Sequence, residues 1–163
     1  MESYDALVKR KADEKSTDVI PNADIPHATV LVENLLSHAG STCRIFTGTL
    51  NNKVYGSPRV LAAAENFLAR KGKLEILIEN PPGDILEHPL VLRCKSEDID
   101  CDLRKVVKVD DDLKCNFIVA DGTAWRFEPD KNIPAAVGCF NDPDAGKKLE
   151  DVFAAIFPRG AKL

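Results

Sequence analysis

The sequence predicts an α/β domain, with a mixed, mostly parallel sheet flanked by helices. Two observations carry this. First, a buried strand at residues 43–50, an amphipathic helix at 58–71 and a second buried strand at 74–79 follow one another. A strand–helix–strand crossover is right-handed and leaves its strands parallel. Second, Asp121-Gly122 separates two apolar runs, 116–120 and 123–127. This is a strong hairpin signal, because a type I′ turn needs positive φ at both central residues. The chain has 163 residues, 44% of them hydrophobic, enough for one core. The expected organisation is a polar N-terminal arm over 1–24 and a single α/β domain over 25–163.

Taken in order, residues 1–24 mix Lys9, Arg10 and Lys11 with Glu2, Asp5, Asp13, Glu14 and Asp18. They read as a solvated arm or a short leading helix. Pro26 suits the start of a helix over 27–39. Ala28, Leu31, Leu35 and Ala39 recur there at helical spacing, and Gly40 stands at C′. The strand at 43–50 carries Ile45 and Phe46 on opposite faces, as a central strand covered on both sides does. It runs into Thr47, Thr49 and Asn51, which are binding candidates by position. Ligands in open α/β sheets gather beyond the carboxyl ends of the strands. The same residues also fit ordinary loop chemistry.

Ser57 and Pro58 give an N-cap and N1 for the next helix, whose stripe is Val60, Leu61, Ala64, Phe67 and Leu68, with Gly72 as its stop. Over 84–95, Asp84 caps a helix that Pro89 either kinks or restarts. Residues 96–102 read as an acidic connection, 103–109 as a strand, and Asp110, Asp111 and Asp112 as a turn without the alternating spacing of a calcium loop. Beyond the hairpin, 129–141 looks irregular. Asp142 and Pro143 then open a last helix with Ala145, Leu149, Val152, Phe153 and Ile156 on its buried stripe.

A net charge of −4 argues against sequence-blind nucleic-acid binding, which Lys and Arg drive by displacing counterions. No apolar run reaches the roughly 18 residues of a membrane span. The five cysteines have no zinc spacing and read mostly as reduced core residues, implying a reducing, cytoplasmic setting. No phosphate-binding glycine loop, nucleophile elbow or metal motif is present, so no cofactor and no metal are expected. The three histidines, His27, His38 and His88, lie far apart in sequence.

Residues 43–157 resemble one lobe of the phospholipase D superfamily in their order: buried strand, helix ending Arg-Lys-Gly-Lys, strand, hydrophobic strand running into Asp-Gly, and closing amphipathic helix. Members carry H-x-K-x-x-x-x-D on the strand before the turn. The histidine attacks phosphorus, the lysine neutralises phosphate oxygens and the aspartate orients a histidine. Aligned on Asp121, the histidine position holds Lys114 and the lysine position Asn116. Only the aspartate matches, and the Gly-Ser expected beyond the turn is replaced around Arg126 and Glu128.

The resemblance therefore implies a lobe that has lost phosphodiester hydrolysis, and it implies a homodimer, because single-lobe members pair around their sites. Strand alternation puts Trp125 and Phe127 in the core and Arg126 and Glu128 on the opposite face. With Lys114 and Asn116 they form the expected pocket, and Arg126 is the preferred anion contact because its planar fork suits phosphate. The leading function is a non-catalytic binding or protein-interaction module. A nuclease or phosphodiesterase with a rearranged site, and a nucleic-acid-associated regulator, remain as alternatives.

Overall fold

The computed structural model describes residues 1–107, 113–133 and 135–163. Helix α1 (Tyr4–Asp13) leads into strand β1 (Ile20–Asn22), helix α2 (Ile25–His38) and strand β2 (Thr42–Thr47). A short helix α3 (Asn52–Tyr55), helix α4 (Pro58–Ala69) and strand β3 (Lys73–Ile78) follow. Next come a 3-10 turn (Ile85–Glu87), helix α5 (Pro89–Cys94) and strand β4 (Cys101–Lys105). Strands β5 (Asn116–Ala120), β6 (Ala124–Glu128) and β7 (Ala136–Cys139) precede helix α6 (Pro143–Ile156), and strand β8 (Ala161–Lys162) ends the chain. Among the described residues they form one eight-stranded sheet, ordered β1-β7-β6-β5-β2-β3-β4-β8.

The sheet is mixed and flanked by helices, but its expected parallel majority is corrected. Parallel pairing is confined to β2–β3 and β3–β4, while the other five ladders are antiparallel. The reason is connection length. Helices carry the chain back between β2, β3 and β4, whereas β5 and β6 are joined by a tight turn, which only an antiparallel pair permits. In that turn Asp121 and Gly122 have φ of 54° and 69°, and Thr123 N–H donates to the Ala120 carbonyl at 3.1 Å.

Alternation along the strands divides the core in two. Cys43, Ile45, Leu74, Ile76 and Ile118 pack with α2 and α4 on one face. Phe46, Leu77, Phe117, Val119 and Trp125 pack with Phe153 of α6 and Phe157 on the other. The helix starts follow their capping residues: Asp24, Ser57 and Asp142 accept from His27, Val60 and Ala145 N–H. Arg70 Nη2 reaches across to the Leu36 and Ala39 carbonyls, satisfying the end of α2.

Several boundaries differ from expectation. The irregular stretch over 129–141 contains β7, which pairs with β6 and with β1. Strand β4 begins at Cys101, inside the expected acidic connection, and the Asp110–Asp112 turn lies outside the described residues. Pro89 restarts rather than kinks: it stands in the first turn of α5. Val152 is 39% exposed, and Gly146 is buried on α6 instead. Residues 1–24 supply both α1, whose Val8 and Ala12 are buried, and the outer strand β1. Cys94 and Cys101 form a disulfide that links α5 to β4, while Cys43, Cys115 and Cys139 are free. Most of the cysteines are therefore free, as expected, and this one pair is oxidised. No helix among the described residues is long and apolar enough to cross a membrane.

Candidate functional site

Because β5 runs antiparallel to β2, its first residue lies beside the carboxyl end of β2, with Asn116 near Thr47. The end of β6 is there too, since Asn116 pairs with Glu128. A cleft of about 100 Å³ opens at this edge, lined by Thr47, Thr49, Asn51, Asn116, Arg126 and Glu128. Six of the eight sequence candidates thus converge, from three strands and the loop after β2.

Arg126 organises the cleft. Only 5% exposed, it donates from Nε to Asn22 Oδ1 at 2.8 Å and from Nη2 to Glu128 Oε2 at 3.2 Å. Asn22 is itself fixed through its Nδ2 to the Asp24 carbonyl. The remaining nitrogen, Nη1, makes no hydrogen bond among the described residues, and it is not sealed from solvent. An arginine needs such clamping because both charges of a buried pair require partners. Asn116 Oδ1 accepts from Gly48 N–H at 2.8 Å, so this side chain shapes the loop after β2. In that loop Thr47 Oγ1 accepts from Leu50 N–H at 3.1 Å. Leu50, buried, is held at φ 57°, a left-handed conformation that surrounding contacts must enforce in a non-glycine residue.

Two candidates are elsewhere. Lys114 precedes β5, is exposed and does not line the cleft. Asp121 lies at the opposite end of β5. Its carboxylate accepts from Gly40, Ser41 and Thr42 N–H at 2.7, 2.8 and 3.0 Å, and from Ser41 Oγ. Burial alone would raise its pKa, but these donors outweigh it and hold the group below the ordinary carboxylate value. The one residue matching the phospholipase D motif therefore ties the start of β2 to the hairpin turn.

The histidines are also occupied. His27 stacks on Tyr4 with centroids 3.7 Å apart. His38 lies near Asp121 in one surface depression, but its ring nitrogens are bonded to the Asn34 carbonyl and to Asp13 Oδ1. His88 accepts from Leu90 N–H at Nδ1, and burial pushes its pKa down.

The sequence reading missed Asn22, Asp24, Tyr55 and Lys131 as neighbours of the cleft. Asn22 sits in a three-residue strand with no sequence signature. Lys131 follows the hairpin, and its Nζ lies 3.4 Å from Glu79 Oε2. Among the described residues no three His, Cys, Asp or Glu side chains converge as metal ligands do.

The chain shares its fold with a solved phospholipase D family member. Nuc, a phospholipase D family member from Salmonella typhimurium, superposes with a TM-score of 0.67 at 14% identity, over 90% of this chain and 97% of its own. NucT from Helicobacter pylori gives 0.65 at 10% identity, over 90% and 100%. TrmBL2, an archaeal chromatin protein described as showing a novel mode of DNA binding, gives 0.63 at 15% identity, over 96% of this chain and 60% of its own. At these identities the likeness establishes the fold. Residues 24–162 match the domain of unknown function DUF7931, and the chain belongs to that family. No curated protein matches it in sequence.

Proposed function

We propose that the chain is a non-catalytic phospholipase D-like binding module that holds an anionic group of its partner at Arg126. The observation that carries this is the clamped guanidinium. Asn22 and Glu128 fix its plane, and Nη1 is left for a ligand oxygen. Such pre-ordering reduces the entropy lost on binding. The residues at the histidine and lysine positions of the family motif support the non-catalytic half. Lys114 is no substitute for an imidazole nucleophile, and Asn116 is committed to Gly48 N–H. The engagements of the three histidines weigh against a rearranged nuclease site.

The likeness to a DNA-binding chromatin protein favours nucleic acid as one partner class, while the net charge of −4 argues that any such contact is local. The paired assembly that the resemblance implies makes a homodimer part of this reading, and light scattering on the purified chain tests it.

Calorimetry with inorganic phosphate and turnover of bis(p-nitrophenyl) phosphate test the rest. Saturable phosphate binding, weakened at least tenfold in Arg126→Lys, with no turnover, is expected. The lysine keeps the charge but loses the planar fork. Sustained hydrolysis that is lost on Asp121→Ala overturns the proposal. Salt-sensitive retention of DNA on a filter would favour the nucleic-acid partner.

A further inference from the structure

Helix α5 has six residues, with His88 as its N-cap and Cys94 as its last residue. A helix this short is marginal by itself, so its order comes from what holds it. Leu90 and Val91 are buried in the core, and Arg93 pairs with Glu65 of α4. The Cys94–Cys101 disulfide adds a covalent tie from the end of α5 to the first residue of β4, and β4 lies parallel to β3 in the sheet.

The other end of α5 reaches the Arg126 cleft. His88 caps the helix through Nδ1, which accepts from Leu90 N–H at 3.1 Å, and its buried Nε2 meets the main chain of Leu50. Leu50 belongs to the loop after β2, whose Thr49 and Asn51 line the cleft. The same two residues line a neighbouring cavity of about 360 Å³, whose far wall includes Asp84 and His88. Leu50 is held at φ 57°, so its conformation depends on the groups packed around it. A continuous run of contacts therefore leads from the disulfide through α5 and His88 to a wall of the cleft.

The disulfide is open to exchange. Cys94 and Cys101 are half-buried and line an open depression of about 370 Å³. A thiolate of a dithiol reductant entering there attacks one sulfur. The S–S bond breaks, and the other cysteine leaves as a thiolate and takes up a proton. The second thiol of the reductant then displaces the mixed disulfide. In sum the protein pair gains two electrons and two protons, and the reductant becomes a disulfide. We propose that Cys94–Cys101 is a redox switch for the Arg126 cleft. Oxidised, it holds α5 and with it the loop after β2 in the binding arrangement; reduced, it lets both loosen. The control of the cleft rests on the anion reading of Arg126, whereas the loosening of the loop rests on the disulfide and α5 alone.

The test compares the full chain oxidised by glutathione disulfide with the chain reduced by dithiothreitol and with the double variant Cys94→Ser/Cys101→Ser. Amide hydrogen exchange followed by NMR and calorimetry with inorganic phosphate are the readouts. The Leu92 and Lys95 amides donate to the His88 and Val91 carbonyls, and the Leu50 amide donates to Thr47 Oγ1. Reduction is expected to speed exchange at least tenfold at Leu92 and Lys95 and at least threefold at Leu50. The β5–β6 ladder amides, Ile118 among them, should hold their rates. Phosphate should bind at least threefold more weakly to the reduced chain and to the double variant, and reoxidation should restore the affinity. Equal exchange of Leu50 in the two forms overturns the proposal, as does a pair that glutathione disulfide fails to oxidise. Acceleration of the ladder amides by the same factor overturns it too, because the effect is then global. Equal phosphate affinity in both forms removes the control of the cleft. If phosphate binds neither form while Leu50 still responds to reduction, the redox control of the loop stands and the anion reading of Arg126 falls.

Discussion

At the scale of single residues, Asp121 and Arg126 hold their charges in opposite ways. Asp121 occupies the catalytic-motif position but serves as an anchor, with its charge spent on three backbone amides and one hydroxyl. Its depressed pKa fixes the sign of its pH dependence. The stabilisation is fully present above the unfolded carboxylate value near 3.8 and is lost as pH falls through the lower folded value. Asp121→Ala should therefore cost about 1–2 kcal/mol at neutral pH, the scale of a lost cap at a half-exposed site. The difference between variant and parent should shrink below about pH 4, and urea titrations across pH 2–7 would show it. Arg126 works the other way, as a buried charge that depends on its partners. Arg126→Ala strands Glu128, which is 9% exposed, and should cost about 3–5 kcal/mol. Arg126→Met combined with Glu128→Leu should cost clearly less, because it removes both charges together. Equal losses in the two variants would show that the pair itself stabilises the fold.

At the scale of elements, the hairpin turn and α6 interlock through Gly146. A Cβ there would lie 2.1 Å from the Gly122 carbonyl oxygen and 2.6 Å from its carbon. Helix propensity alone makes Gly146→Ala stabilising by about 1 kcal/mol. The overlap is with main chain, which no rotamer change relieves, and overpacking of this kind costs about 1–3 kcal/mol. A net loss in melting temperature is expected, and a gain would mean that α6 does not dock as closely as described. The long elements were legible because each carries a local signal: Ser57-Pro58 and Asp142-Pro143 open α4 and α6, and Asp-Gly sets the β5–β6 turn. Strands β1, β7 and β8 were not. They have two to four residues each, Pro21 and Gly138 interrupt any strand pattern, and their pairing is decided by partners distant in sequence. Six of the eight candidate residues were legible for a topological reason, since the carboxyl end of a central strand is where loops converge. Asn22 was not, because its role comes only from the β1–β7 pairing. Lys114 was misread because the motif spacing that pointed to it starts two residues before β5, where the side chain is exposed and outside the cleft lining.

At the scale of the molecule, the sheet has one face covered by α2 and α4 and another covered chiefly by α6, with the cleft and its neighbouring cavity along one edge. The cavity wall from Asp84 to His88 hangs between β3 and α5, and the far end of α5 is tied to β4 by Cys94–Cys101. The wall is therefore held at both ends, by sheet hydrogen bonds at β3 and by a covalent link beyond α5. A link across a sequence separation of 7 restricts the unfolded chain by up to about 2.5 kcal/mol in the chain-entropy account. The reading of mostly reduced cysteines holds for Cys43, Cys115 and Cys139, which the link leaves free. Alkylation of the denatured protein, followed by mass spectrometry, should label three cysteines without reductant and five with it. Prior reduction should also lower the urea midpoint, by an amount corresponding to no more than that entropy. Five labels without reductant would show that Cys94 and Cys101 are thiols in the purified protein. The α5 end of the wall would then be held through the packing of Leu90 and Val91.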